Sequence, residues 1–201
     1  MRTLTVIAGI LFCGSAFASQ IREFDIRTAS RLGAQLARLS DTAEKGATTP
    51  ARKRARDTAV AALKGKLFDI PYRYVVVDDP DGSGLLVYAL AHNKKEIILG
   101  GHFRVTVSAD GAKVERVDAL SNTLLRQPPP PKGHKGEKPV YVSMSQIVSN
   151  RPLETCVYTS LYYDVMVSVG MVKDNAKVWV FIGDQIHEMT PEVLKQLGIK
   201  P

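Results

Sequence analysis

The spacing of apolar residues changes once along this chain of 201 residues, at Pro71, and that change limits the folds it can adopt. Before Pro71, apolar residues recur every three or four positions, which is typical of helices with one buried face. After it, they occur in short runs separated by Gly, Pro, Asp and Asn, which is typical of strands joined by tight turns. Helices followed by strands predict an α+β domain.

Two helices are predicted before Pro71. The first covers residues 21–45, where apolar residues lie at three- and four-residue steps. The second covers residues 50–67, because Thr49 supplies an N-cap and Pro50 favours the first helical turn. We expect the two helices, within residues 20–67, to form a helical hairpin packed on the sheet.

The sheet is predicted over residues 72–188. Its first part, to about residue 118, is expected to be an antiparallel meander in which Gly100 and Gly101 mark a bulge or a bend. Further strands are expected at residues 140–144, 154–162, 165–169, 178–182 and 185–188.

Two segments are predicted to lie outside the strands. The proline- and lysine-rich residues 127–139 have no apolar face to bury and are expected to form a surface loop. Thr190, Pro191 and Glu192 are expected to begin a short C-terminal helix over residues 190–198.

The first eighteen residues have the three parts of a secretory signal peptide: a basic start with Arg2, an apolar run over residues 4–12, and small residues ending at Ala18. The run is shorter than the roughly 20 residues that span a bilayer. We therefore expect cleavage after about Ala18 and a periplasmic or secreted protein. Residues 19–201 are enough for a single domain, and no transmembrane segment is expected in them.

The formal net charge of the chain is +7. A basic surface outside the cytoplasm can attract an acidic protein, a cell-wall polymer or an anionic membrane surface, although it can also serve only solubility. Nucleic acid is not an expected partner, because the signal peptide takes the chain away from it. The candidate binding residues lie in the first turns of the predicted second helix, where the helix dipole disfavours positive charge. They are Arg52, Lys53, Arg54 and Arg56.

Cys156 is the one cysteine that follows the signal peptide, and it is the main catalytic candidate. A thiolate nucleophile needs a nearby base or cation, and His102 and His187 are the candidates for that role. The alternative is a structural one, because residues 155–158 are typical of an ordinary strand and free cysteines are among the most buried residues.

No metal site or cofactor is predicted. The four histidines are too widely spaced for a metal-binding motif on one helix or strand. Asp78, Asp79 and Asp81 with Gly82 resemble part of a calcium loop, but Pro80 interrupts the ligand spacing and a hairpin turn explains the same residues.

Residues 102–117 resemble the strand-turn-strand of PepSY-like modules of secreted bacterial proteins. Those modules are small and non-enzymatic, and many take part in inhibition or protein contact. The resemblance covers under a tenth of the chain, and no family is assigned from it. The leading hypothesis from the sequence is a non-catalytic binding or accessory protein that uses the basic helix or a sheet face. The alternative is a hydrolase or thiol enzyme that uses Cys156 with His102 or His187.

Overall fold

The computed structural model describes residues 21–42, 49–128, 140–172, 177–190 and 192–193. The predicted signal peptide, residues 129–139 of the predicted loop and most of the predicted terminal helix lie outside these residues. The α+β class is confirmed. The helices are α1 (Ile26–Ser40), α2 (Pro50–Leu63) and α3 (Glu154–Tyr163). The strands are β1 (Tyr72–Asp78), β2 (Leu85–Ala91), β3 (Ile97–Ile98), β4 (Phe103–Val107), β5 (Val114–Ala119), β6 (Arg126–Gln127), β7 (Val140–Gln146), β8 (Val165–Met171), β9 (Val178–Ile182) and β10 (Gln185–Met189).

The first sheet has the strand order β1-β2-β4-β5, and every neighbouring pair in it is antiparallel, as predicted for the meander. β3 leaves this sheet and pairs with β6 instead. Gly100 and Gly101 separate β3 from β4, and Gly101 has a φ of 79°, which glycine adopts far more readily than other residues. The predicted bend at the double glycine is therefore confirmed.

The second sheet has the order β10-β9-β8-β7. β7 and β8 are parallel, so a crossover connection must join them. α3 lies in that connection, and the prediction of a strand over residues 154–162 is wrong. β-branched and aromatic residues favour a strand there, but seven of the ten residues of α3 are buried. A helix buried on nearly all sides has no polar face, so the sequence carries no helical period to reveal it.

α2 begins at its predicted start, Pro50, whereas α1 begins at Ile26, five residues after its predicted start, and both helices end earlier than predicted, at Ser40 and Leu63. Thr49 caps α2 as predicted, since its side chain accepts the N–H of Arg52 at 3.3 Å.

The helices lie on opposite faces of the first sheet rather than packing together as a hairpin. The face of α1 packs in one core with Val75, Val77, Leu86, Tyr88 and Leu90. The face of α2 packs in another core with Val76, Val87, Ala89, Phe103 and Val105. Alternate residues of a strand point to opposite faces, which places the helices on opposite sides.

α1 packs against α3 at a very short distance, and Gly33 makes that distance possible. A Cβ atom on Gly33 would lie 2.4 Å from Cβ of Val157 and 2.5 Å from the carbonyl oxygen of Glu154. No side chain fits at this position without a shift of one helix, because the second contact is with backbone. The glycine therefore sets how closely the two helices approach.

An ion cluster buried in the protein joins β4, β5 and α3. The side chain of Arg104 is fully buried and donates to Asp118 at 2.7 Å and to Glu154 at 2.6 Å. It also donates to the main-chain carbonyl oxygen of Arg22, in the segment that leads into α1. The hydroxyl of Tyr88 on β2 donates to the same carboxylate of Glu154 at 2.8 Å. Groups from five parts of the chain thus satisfy one buried charge cluster.

Replacement of Arg104 by Met is expected to lower the free energy of unfolding by about 3–5 kcal/mol, because it leaves the buried carboxylate of Glu154 without a cation and Asp118 with only that of Arg116. The matched control is Arg126→Met, which removes an exposed ion pair with Glu96 at 3.8 Å. Exposed pairs contribute only about 0–1 kcal/mol. Urea denaturation of both variants measures the difference, and equal losses would contradict the role given to the buried cluster.

Replacement of Gly33 by Ala is expected to destabilise the protein by about 1–3 kcal/mol through overpacking between α1 and α3. The intrinsic helix propensities predict the opposite sign, since Ala is favoured over Gly by about 1 kcal/mol. Gly170→Ala is the control, because a Cβ at that position meets no atom within 4 Å. A thermal melt in which Gly33→Ala is as stable as the wild type would show that the helices can separate without cost.

Candidate functional site

A groove of about 960 Å³ lies on the second sheet, on the face turned away from the core. Val167 on β8 and Phe181 on β9 are cross-strand neighbours, and both side chains point into the core. Because successive side chains of a strand alternate between the two faces, the residues next to them in each strand point outward. The outward side chains form cross-strand rows, one of which is Ser168, Val180 and His187. We call this feature the outer groove. Its lining is mainly apolar and includes Tyr141, Met166, Ser168, Val178, Val180, Ile182, His187 and Met189.

The sequence of β9 indicates that both faces of this sheet are suited to being covered. Its five residues, Val-Trp-Val-Phe-Ile, are all apolar, whereas a strand with one solvated face alternates apolar and polar residues. The inward residues Trp179 and Phe181 belong to the core. Among the outward residues, Ile182 is 47% exposed, and Tyr141 on β7 is 58% exposed. Large apolar side chains therefore remain accessible on this face.

The first sheet provides an internal comparison. Its corresponding outer face is covered by α2, which buries Ala55, Ala59 and Leu63 at four-residue steps. Within the described residues, none of α1, α2 and α3 lines the outer groove. A sheet normally buries each apolar face against another layer of secondary structure. The outer groove is therefore suited to packing against such a layer.

Few polar groups lie at the outer groove. Ser168 and His187 lie on its face, and Glu188 lies at its edge. The carboxylate of Glu188 is 3.7 Å from the ammonium group of Lys177. A mainly apolar lining with a few polar groups is typical of binding sites for apolar or amphipathic molecules.

Comparisons with family models, with curated proteins and with solved structures find no match to this chain.

Cys156 lies in α3 and is buried. Burial raises the pKa of its thiol to about 12, and the nearby carboxylate of Glu154 acts in the same direction. The described residues show no hydrogen bond between this thiol and either candidate histidine. His187 is exposed in the outer groove, on another element. These facts argue against a thiolate nucleophile at Cys156.

His102 has a structural environment. Its Nδ1 atom accepts the main-chain N–H of Ala91 at 3.1 Å, and its ring packs edge-on against Tyr158. Burial lowers the pKa of His102 to about 4. The imidazole is therefore neutral at pH 7, with Nδ1 acting as an acceptor inside the core.

The predicted basic cluster separates into two parts. Arg52 bonds within the protein, because it donates to the carbonyl oxygen of Val76 at 2.8 Å and to the carboxylate of Asp78 at 2.5 Å. It therefore fastens α2 to β1. Lys53 and Arg54 are exposed and Arg56 is half-buried. These three keep the role of candidate binding residues, whereas Arg52 has a structural one.

The acidic residues of the turn after β1 form ion pairs within the protein. Asp79 accepts from Arg22 at 2.6 Å, and Asp81 accepts from the same guanidinium at 2.9 Å. The guanidinium holds the pKa of Asp79 below its usual value.

Within the described ranges, no group of three His, Cys, Asp or Glu residues is placed to hold a metal ion. None of the described helices has the length and hydropathy needed to cross a membrane.

His187 is a candidate from the sequence, whereas its apolar neighbours in the groove, Met166, Val178, Val180 and Ile182, are not. The signal that could have found them is the unbroken apolar run of β9, which indicates a strand suited to cover on both faces. The position of the outer groove also depends on the parallel pairing of β7 and β8, and nothing in the local sequence specified that pairing.

Alkylation of Cys156 by iodoacetamide is expected to be very slow in a folded chain that is expressed from Ser19 onward and so lacks Cys13. At pH 8 a thiol with a pKa of about 12 has on the order of a thousandfold less thiolate than a free cysteine. The rate is measured by mass spectrometry between pH 6 and 10, and again in urea, where it should rise to that of a free thiol. Fast alkylation of the folded protein with a midpoint below about 8.5 would contradict this and restore the nucleophile hypothesis.

Proposed function

We propose that this is an extracytoplasmic, non-catalytic binding protein, and that the outer groove binds an amphipathic helix of a partner protein. The observation that carries the proposal is the apolar outer face of the second sheet, with Ile182 and Tyr141 exposed on it. The N-terminal pattern of residues 1–18 supports the location outside the cytoplasm.

The dimensions of the outer groove favour a helix as its occupant. Four strands about 4.8 Å apart give a face roughly 14 Å wide, and a helix with its side chains is about 10 Å across. A five-residue strand such as β9 is about 17 Å long, which corresponds to roughly eleven residues of helix. The same protein offers an example of this packing, since α2 covers the outer face of the first sheet.

The chemistry of the outer groove favours recognition through apolar side chains. Helices that bind in apolar grooves place apolar residues three, four and seven positions apart on one face. Such a face would bury the exposed parts of Ile182 and Tyr141, and the few polar groups would lie at the edge of the contact. The partner helix is therefore expected to be amphipathic, with its polar face in solvent.

The charge of the protein favours an acidic protein among the three classes of partner considered from the sequence. Lys53, Arg54 and Arg56 lie on α2, which packs on the first sheet rather than at the groove, so they are not expected to touch the bound helix. The formal net charge, +7 for the whole chain and +6 once Arg2 leaves with the signal peptide, still attracts an acidic protein at a distance and accelerates its association at low ionic strength. The apolar contact then determines how long the complex persists.

A fluorescein-labelled synthetic helix of fourteen residues, with Leu at three- and four-residue steps and Glu elsewhere, is expected to bind the mature protein saturably. Ile182→Lys should weaken binding about tenfold, because it places a charge against an apolar contact. The control is Val60→Lys on α2, since Val60 is 42% exposed and Ile182 is 47% exposed. Fluorescence anisotropy measures both.

The peptide test has two outcomes that would contradict the proposed function. The first is equal affinity of the Ile182→Lys variant and the wild type. The second is equal weakening by Val60→Lys, which would mean that the peptide binds exposed apolar residues without selecting the outer groove. Circular dichroism of both variants verifies that each remains folded.

A further inference from the structure

The free edge of the second sheet is a further surface suited to protein contact. β7 is the last strand of that sheet, and β8 is the one described strand that pairs with it. We propose that the free edge of β7 binds an extended, uncharged segment of a partner protein. The segment adds a fifth strand to the sheet and inserts one aliphatic side chain into a neighbouring pocket. This site is separate from the outer groove, so it does not depend on the proposed function.

The main-chain groups at the free edge follow from the pairing of β7 with β8. The carbonyl oxygen of Gln146 accepts the N–H of Val172, so the main-chain groups of Gln146 point toward β8. Successive residues of a strand alternate in this direction, and the N–H and C=O groups of Tyr141, Ser143 and Ser145 therefore point away from β8. No described residue forms a main-chain hydrogen bond with these groups. They form a row of donors and acceptors that an added strand can use.

The composition of β7 differs from that of the other edge strands of the two four-stranded sheets. Charged side chains on an edge strand commonly protect it from pairing with another chain. The sequence of β7, Val-Tyr-Val-Ser-Met-Ser-Gln, contains no charged residue. Each of the other edge strands contains at least one: Arg73 and Asp78 on β1, Glu115, Arg116 and Asp118 on β5, and Glu188 on β10.

A pocket of about 100 Å³ lies beside the C-terminal half of β7. Met144 and Ser145 both line the pocket, although their side chains point to opposite faces of the sheet. None of the described residues of β8 lines it, so the pocket lies at the free edge of β7. Residues 120–123, which follow β5, form part of the opposite wall. The apolar lining residues are Leu99, Leu120, Leu125, Met144, Ile147 and Val148.

The size and the lining of this pocket favour one aliphatic side chain. An apolar cavity of about 150 Å³ holds one benzene ring, so a pocket of about 100 Å³ fits roughly four carbon atoms, as in the side chain of Leu or Ile. Leu125 is 39% exposed and Ile147 is 44% exposed. An inserted side chain would cover the exposed parts of both.

Gln146 places a polar atom at the same pocket. Its side chain is buried, and its Nε2 atom donates to the carbonyl oxygen of Arg151 at 2.8 Å. Its Oε1 atom has no hydrogen-bond partner among the described residues. Buried acceptors without a partner are uncommon in proteins, and an N–H group of the added strand can supply one here.

These features define the partner segment. Main-chain hydrogen bonds to an edge strand give affinity with little dependence on sequence, and a pocket for a side chain gives specificity. The segment is therefore expected to be extended, to have Leu or Ile opposite the pocket, and to have no charged residue facing β7.

The test uses a fluorescein-labelled synthetic peptide in which Thr alternates with Val around a central Leu, with a Lys at each end. Ser143→Pro removes an N–H group that points away from β8, so it leaves the pairing with β8 intact, as Pro does at the open side of an edge strand. It is expected to weaken binding of this peptide to the mature chain about tenfold or more. Ser143→Ala is the matched control, because it keeps the N–H group and should bind as the wild type does. Fluorescence anisotropy measures both affinities.

The pocket is tested by Ile147→Lys, which is expected to weaken binding of the strand peptide about tenfold because it places a charge against the inserted side chain. Ile26→Lys on α1 is the matched control, since Ile26 is 43% exposed and Ile147 is 44% exposed. Equal weakening by the two variants would show that the peptide binds exposed apolar residues without selecting the pocket.

Equal affinities of folded Ser143→Pro and Ser143→Ala would overturn the added strand. Circular dichroism verifies that both variants are folded. If Ser143→Pro is not folded, two peptides that are N-methylated on alternate residues take its place, since each lacks the N–H groups along one of its edges. Weaker binding of one methylated peptide than of the other would support strand addition, and equal affinities would overturn it.

The two synthetic peptides distinguish this inference from the proposed function. Ile182→Lys should weaken binding of the leucine helix and leave binding of the strand peptide unchanged. A strand peptide that responds to Ser143→Pro, together with a leucine helix that does not bind, would support the edge site and contradict the proposed function. The reverse pattern would overturn the edge site and leave the proposed function standing.

Discussion

The arrangement of this protein depends on the buried guanidinium of Arg104. A charge removed from water is tolerated only where opposite charges and hydrogen bonds surround it, and breaking such a cluster costs several kcal/mol. Here Asp118 comes from the neighbouring strand β5 and Glu154 from the first turn of α3, while the carbonyl oxygen of Arg22 and the ring of Phe24, 4.6 Å from the guanidinium carbon, come from the segment before α1. The cluster thereby fixes the positions of the first sheet, α3 and the start of α1 relative to one another.

The relative positions of these elements determine where the second sheet lies. α3 is the connection between β7 and β8, so the cluster that orients its first turn also orients the parallel pair that follows from it. α1 approaches α3 closely at Gly33, and the two helices pack in one core with the inward residues of both sheets. The inner face of the second sheet is filled in this way. Its outer face also carries apolar residues, but none of α1, α2 and α3 packs on it. The outer groove lies on this uncovered face.

The sequence predicted what local chemistry specifies and missed what tertiary packing decides. The N-cap at Thr49, the bend at Gly101 and the strand at residues 178–182 depend on neighbouring residues, and all three are present. α3 was missed because a helix buried on nearly all sides shows no polar face, and its β-branched and aromatic residues favour a strand. The outer groove was missed for a related reason, since it exists only once β7 and β8 are paired in parallel.

The residues with the most reactive side chains illustrate why chemistry cannot be assigned from residue type alone. Nucleophilic catalysis by a cysteine needs a thiolate, and a neighbouring imidazolium is a common means of stabilising one. Burial acts on Cys156 and His102 in the opposite sense, raising the pKa of the thiol to about 12 and lowering that of the imidazole to about 4. Both groups are neutral over the whole range between, so the core that protects them also removes the charged forms that catalysis would use. The outer groove, by contrast, is lined mainly by apolar side chains, which favour binding through shape and burial.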